Sequence, residues 1–455
     1  MSDHALLKPA RPPRPSTALS LAGFLRAIRT NALTMWTDEA YEQDVLRGSM
    51  LGRPRLLLNQ PDAIHRVLVD NAGNYRRSRA GIRILRPITG DGLLLSEGEE
   101  WRHQRRTIAP ALAPRVIPML ARHIAVSTEA AMARLHAAAD APVDLLAAMQ
   151  RLALDIAGQS MFSLEMAQYG EAMRAQMERY SMRHAQPHLL DLLLPASVPS
   201  PRDFGRRRFQ RDWMALMERI MQARLRSPPA ATARDLFDLL IAARDPESGE
   251  AFTHDQLRDQ LATLILAGHQ TTAVTLFWAL TLLAQAPAEQ ERVAAEAATR
   301  SFAEADAAAT LNNLPQTRAV VNETLRLYPA AFAIAREAIA ADTAAGIDIP
   351  RGAMVMIAPW VLHRHRRRWR DPDAFDPSRF LPDAPPPARF SYLPFGSGPR
   401  VCVGAQFALA EATLVLGALM QNFRVELMDR RPVLPVGIVT TQPDHAPPFR
   451  LIRRS

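Results

Sequence analysis

Residues 254–285 constrain the fold of this chain more than any other stretch. From Leu261 the chain reads LATLILAGHQTTAVTLFWALTLLAQA, apolar on nearly every side. A helix with that pattern has no face to give to water, so it lies inside a large domain or inside a membrane. A polar group, Gly268-His269-Gln270-Thr271-Thr272, interrupts it near the middle. The spacing therefore predicts a central core helix with a functional break rather than a spanning helix.

The rest of the chain supplies what such a helix needs around it. Apolar residues make up 48% of the 455 residues and aromatics only 6%, so Leu, Ala and Val fill most of the core. Apolar residues recur at helical intervals from 98 to about 185 and again over 202–226, 233–243, 288–299, 315–328 and 403–422. Residues 59–70 open with a cap and Pro61 and then take helical spacing. Strands are short: a hairpin over 43–58, turns and strands over 329–358, and strands beyond 423. The stretch 74–97 is rich in Arg and Gly without a clear period and reads as an irregular loop, and 359–400 is loop-rich. Prolines 187, 195, 199 and 201 break the chain around 186–201. No internal repeat or linker divides it. The expectation is a mainly α fold with small β-sheets, as one domain over 39–455. Residues 1–38 precede it as a Pro- and Arg-rich segment with a short helix, Leu21, Phe24, Leu25 and Ile28 facing the domain and Arg26 and Arg29 opposite.

Charge and cysteine content exclude several classes. The formal charge is +9 and Lys8 is the only lysine, so the basicity is arginine. Nucleic acid, an anionic surface or an acidic partner would each suit such a chain. No aromatic–arginine motif or zinc-finger spacing is present, so nucleic acid is not expected. The single cysteine excludes an intrachain disulfide and a four-cysteine cluster, and suits a reducing cytoplasm. The first residues lack the apolar core of a signal peptide, and no membrane anchor is expected.

That one cysteine sits in Phe395-Gly396-Ser397-Gly398-Pro399-Arg400-Val401-Cys402-Val403-Gly404. Three glycines and a proline prescribe a fixed loop able to approach a flat ligand closely. An apolar helix begins just after Cys402, and its N-terminal partial charge is expected to lower the thiol pKa. Phe395 is placed to cover one side of the sulfur. A lone cysteine is more commonly an inert buried thiol; this glycine spacing, with arginine two residues earlier, argues otherwise.

The decapeptide fits F-x-x-G-x-R-x-C-x-G at every fixed position, and by it the chain resembles the cytochrome P-450 family of the soluble bacterial type. The resemblance implies that Cys402 is the proximal ligand of a haem b iron (iron protoporphyrin IX) and that Arg400 pairs with a haem propionate. Further segments agree in chain order. Trp101 and Arg105 match W-x-x-x-R, and Arg336 lies ten residues after Arg326; both arginines are implied propionate ligands. Glu323 and Arg326 match E-x-x-R, with Arg379 of Phe375–Phe380 as the implied third member of a buried network. Ala267–Thr272 matches A-G-x-[DE]-T-T: Gly268 leaves room for O2 and Thr271 relays protons. The chain departs from that pattern at Gln270, since an amide cannot carry a proton at neutral pH. His269 is a candidate in its place. Residues 363–370, HRHRRRWR, also depart, carrying extra arginines that read as a solvated basic loop near Cys402, facing an acidic electron donor.

The resemblance covers about 40–450 and implies a haem-thiolate monooxygenase that puts one atom of O2 into a hydrophobic small molecule. The pocket it implies is apolar, with Leu264, Ala267 and residues 330–334. With one cysteine and no flavin domain in view, electrons are expected from a separate ferredoxin and its NAD(P)H-linked reductase, acting on a cytoplasmic monomer. The alternatives are an H2O2-driven peroxygenase, a haem-based gas sensor or carrier, and a haem-free helical scaffold.

Overall fold

The computed structural model describes residues 6–50, 52–139, 141–163, 169–186, 188, 190, 191, 194, 198–226 and 232–454. Its helices used below are α1 (Leu21–Thr30), α2 (Arg79–Thr89), α3 (Gly98–Ile108), α4 (Ile117–Ala138), α5 (Leu145–Phe162), α6 (Gly170–Arg183), α7 (Pro201–Leu225), α8 (His254–Gln285), α9 (Pro287–Ala298), α10 (Pro315–Leu327) and α11 (Ala405–Asn422).

The long apolar stretch is α8. Thr253 and Gln256 open it reciprocally: the Gln256 N–H donates to Thr253 Oγ1 at 3.2 Å and the Thr253 N–H to Gln256 Oε1 at 2.9 Å. From there it runs unbroken for 32 residues, through the polar group at its middle. The expected break is thus not an interruption of the helix. Thr271, Thr275 and Thr281 each return their hydroxyl to the carbonyl four residues back, so the polar side chains are satisfied inside the helical ladder.

Helices α5, α10 and α11 pack along α8, because each carries apolar residues on the side that meets it. The resulting core includes Leu152, Ile156, Phe277, Leu280, Val320, Leu416 and Leu419. Trp278 anchors it. Its ring stacks on Tyr328 with centroids 4.0 Å apart, and its Nε1–H donates to the Thr441 carbonyl at 2.8 Å. A second core lies at the other end of α8, where Phe209, Trp213 and Ile220 of α7 meet Leu257, Leu261 and Ile265. Among the described residues no single helix is long and apolar enough to cross a membrane.

The main sheet has the order β1-β2-β5-β4-β3, with β1 Val45–Met50, β2 Arg53–Leu58, β3 Tyr75–Arg77, β4 Ile334–Ala338 and β5 Met354–Ile357. Only β2 and β5 run parallel; the other pairs are antiparallel.

Two sequence expectations need correction. Residues 74–97 are not one irregular loop, for they hold β3 and α2. Ser78 caps α2 by accepting from the Gly81 N–H at 3.2 Å, and Ile84 and Ile88 are among its buried residues. Arg86 between them and Pro87 inside the helix hide that spacing in the sequence. Residues 363–370 are not a solvated loop either. His363, Arg364 and His365 are buried. Arg366 pairs with Asp38 and Glu42, and Arg367 and Arg368 pair with Asp44, so carboxylates from the start of the domain neutralise most of the run.

Truncating Trp278 to alanine removes the stack, the buried volume and the donor to Thr441 together. Such a change costs about 3–5 kcal/mol, read as a lowered midpoint in urea; a loss below about 1 kcal/mol would show that α8 is not the centre of the fold.

Candidate active site

One face of α8 differs from the others. Leu264, Ala267, Gly268 and Thr271 are reachable by solvent, while Ile265, Leu266, Thr272 and Ala273 are buried. Positions i, i+3, i+4 and i+7 share one helix face, so α8 turns that face to an internal cleft. At Gly268 an added Cβ would meet nothing within 4 Å. The Thr271 hydroxyl lies on this face and donates to the Ala267 carbonyl at 2.5 Å. Gln270 is half-buried beside it. His269 turns the other way: its Nε2 meets the Gln150 carbonyl of α5 at 3.0 Å. Burial drops its pKa to about 4, which keeps it neutral and off the cleft.

The cysteine loop is the second element of the site. Gly396 and Gly398 both have φ +73°, the left-handed region that glycine tolerates. At Gly398 a Cβ would also stand 1.9 Å from the Leu68 carbonyl oxygen, so no other residue fits. The loop is drawn shut by the Cys402 N–H, which donates to the Phe395 carbonyl at 2.9 Å. The Cys402 side chain is accessible, although protein surrounds it closely enough for desolvation to dominate its pKa. The two facts agree if the thiol opens on the internal cleft and not on the outer surface. Desolvation raises its pKa, against the Gly404 N–H and the Arg105 guanidinium, which lower it. That corrects the expected direction: α11 starts at Ala405, and its end charge does not outweigh burial.

Arginines gather at the rim. Arg105 donates to the Val401 carbonyl at 2.9 Å. Arg400 donates to the Ser96 carbonyl at 3.1 Å, pairs with Glu97 and lies 4.4 Å over the Trp101 ring. Trp101 is thus a platform for Arg400. Arg336 on β4 stands directly opposite Arg77 on β3. Like charges in such a cross-strand pair repel. Burial, then repulsion from Arg336 and Arg400, brings Arg77 down to about 9; burial and Arg400 bring Arg336 down to about 10. Nε of Arg77 has no hydrogen-bond partner, and Glu97 is 3.9 Å from it. A half-buried cluster with one carboxylate and an unused donor fits a dianionic edge, such as the two propionates of a haem. Arg77 was not visible in the sequence, because its place depends on strand register.

Behind the loop the buried network is assembled. Arg326 donates to both oxygens of Glu323, at 2.6 and 2.7 Å, and Glu323 accepts from the Asp376 N–H at 2.8 Å. Arg379 stands 3.6 Å from Glu323 and donates to the Asp371 carbonyl. Arg326 reaches the His363 carbonyl at 2.9 Å, and His363 Nε2 accepts from the Leu393 N–H at 2.8 Å. His363 and His365 hold backbone groups in different places, and among the described residues no group of three or more His, Cys, Asp or Glu is arranged for a metal ion.

A further acid lies nearby. Glu411 on α11 is buried, its Oε2 accepts from the Thr272 hydroxyl at 3.4 Å, and its Oε1 has no partner. Burial raises its pKa to about 8. A single acid inside the apolar run FALAEATLVLGALM was the sequence signal for it.

Comparison with known proteins agrees with this geometry. Cyclooctatin synthase of Streptomyces melanosporofaciens is 31% identical over 422 residues, covering 92% of this chain and 90% of that protein. The chloroplastic protein LUTEIN DEFICIENT 5 of Arabidopsis thaliana is 28% identical over 441 residues, covering 92% of this chain and 73% of that one. The crystal structure of the cytochrome P450DA heme domain superposes with a TM-score of 0.83 at 22% identity, over 98% of both chains. The cytochrome P-450 family model matches residues 12–445 and so takes in the α8 face, the arginine rim and the cysteine loop alike. The chain belongs to the cytochrome P-450 family of haem oxidoreductases.

Proposed function

We propose that this protein is a monooxygenase that inserts one atom of O2 into a hydrophobic small molecule, with electrons from a separate ferredoxin and its reductase. The observation that carries the reading is the accessible Cys402 thiol on its glycine-fixed loop, together with the solvent-reachable Leu264, Ala267, Gly268 and Thr271 side of α8. When bound, the haem supplies the oxidising chemistry, and sulfur ligation enriches the iron in electron density.

The chain's own residues then have distinct tasks. Cys402 Sγ would hold the haem iron. Arg77, Arg105, Arg336 and Arg400 would hold its propionates, and Trp101 and Phe395 pack the rim and the loop. The half-buried Phe332, Ala333 and Ile334 add apolar surface to the pocket. The relative named cyclooctat-9-en-7-ol 5-monooxygenase acts, by its name, on a cyclic alkenol; it is 30% identical over 379 residues. A largely hydrocarbon substrate with few polar groups is assigned here on the same grounds. The one cysteine is engaged at the haem, which leaves no sulfur for an internal cluster and fits an external electron donor in a reducing cytoplasm.

Proton supply follows from Thr271 and Glu411. The Thr271 hydroxyl has its one proton on the Ala267 carbonyl, so it offers the cleft an acceptor and becomes a donor when it turns from that carbonyl, and Gln270 beside it orients without transferring. Glu411 holds a proton at neutral pH and is bonded to Thr272, the neighbour of Thr271. The second reading, a peroxygenase, is favoured by Gln270 alone: peroxide already carries the protons and electrons. Turnover with H2O2 alone that equals turnover with ferredoxin, reductase and NAD(P)H would establish it.

The reduced protein under carbon monoxide is expected to show the red-shifted Soret band of sulfur ligation, and Cys402→Ala to lose both band and oxidation; oxidation surviving in that variant would refute the assignment. Thr271→Ala should lower product formation about 10²-fold while NAD(P)H is still consumed; unchanged product per NAD(P)H would exclude Thr271 from the relay. Glu411 has its pKa raised in the fold from 4.5 to about 8, so its contribution to stability is complete below pH 4.5 and lost as pH rises to 8. Glu411→Gln should remove that slope from urea midpoints measured across this range, and an unchanged slope would disprove the protonated state.

A further inference from the structure

The Pro- and Arg-rich stretch before α1 has no part in the reaction, yet its described residues lie against the domain. The Leu7 carbonyl accepts from the Phe375 N–H at 2.8 Å, and the Leu7 side chain joins the main core. Pro12 is buried. Arg11 and Arg14 both pair with Asp373, and Arg364 reaches the same carboxylate at 3.9 Å. The Arg14 side chain is only 10% exposed; it binds Asp38 at 2.7 Å and lies 3.8 Å over the ring of Tyr41.

What this arm grips is the turn that Arg326 also grips. Arg326 donates to the Pro372 and Ala374 carbonyls, each at 2.7 Å, on either side of Asp373. Arg326 and His363 then lead to the Leu393 N–H, and the Phe395 carbonyl accepts from the Cys402 N–H. We propose that residues 6–14 act as a strap that clamps the Pro372–Phe375 turn and thereby positions the cysteine loop. Arg11, Arg14 and Asp373 are positioning residues in this account, acting on Cys402 through Arg326 and His363. The proposal rests on the haem–thiolate assignment above.

The test uses full-length holoprotein carrying Asp373→Asn, which keeps shape and removes the charge that three arginines share. Two readouts are compared with wild type: elastase cleavage after Ala10, since proline follows Arg11 and Arg14 and blocks trypsin there, and the ferrous carbon monoxide spectrum. Cleavage of the arm should speed up at least about tenfold, as the loss of one charge-assisted hydrogen bond implies. At the same time part of the Soret band should move from the thiolate position to the shorter wavelength of a protonated or displaced sulfur. Asp373→Glu should restore most of the thiolate band, which a general loss of packing would not allow. If Asp373→Asn does not accumulate, Arg14→Gln gives the same comparison. An arm that is freed while the band stays intact overturns the proposal, and so does an arm that elastase cuts no faster. A wild-type protein without the red-shifted band would instead sink the haem–thiolate reading.

Discussion

The site hangs on one buried guanidinium. Arg326 has five N–H donors, and all five are used: two on Glu323 and one each on the carbonyls of His363, Pro372 and Ala374. Taking an ion pair out of water is tolerated only when its remaining groups are satisfied in this way. The carbonyls belong to a stretch with little regular structure of its own, which takes its shape from that one side chain. Sequence distance is no obstacle, because α10 brings Arg326 to the stretch as a rigid helix.

The second arginine cluster obeys the opposite rule. Arg77 and Arg336 face each other across two strands, and among the described residues Glu97 is the carboxylate that offsets their mutual repulsion. Where the Arg326 cluster is closed, this one has unused donors and depressed pKa values. The first reaches the chain through His363 at Leu393, just before the cysteine loop, and the second includes Arg400 of the loop itself. One fixes the protein around the sulfur, and the other reserves positive charge for a ligand with two acidic arms.

Much of this was legible in the sequence where the pattern is local. Residues 261–286 can be nothing but a buried helix, and the spacing of Gly396, Gly398, Arg400 and Cys402 prescribes its loop without reference to the rest of the chain. Features that depend on distant partners were hidden. HRHRRRWR reads as solvated because its counter-charges, Asp38, Glu42 and Asp44, lie more than 300 residues away. Arg77 became a site residue only through its register with Arg336. Helix α2 was obscured by its arginines and by Pro87, although Ile84 and Ile88 sit one turn apart. The direction of the Cys402 pKa was misjudged because a helix end is visible in a sequence and desolvation is not.

The division of labour around α8 has a consequence for how this enzyme diversifies. Leu264 and Ala267 look into the cleft, whereas Phe277, Trp278 and Leu280 hold the scaffold together. On the proposed function, changes at 264 and 267 would alter which molecule is accommodated with little penalty in folding. Descendants of this gene are therefore free to explore new chemistry on an unaltered frame, one residue at a time.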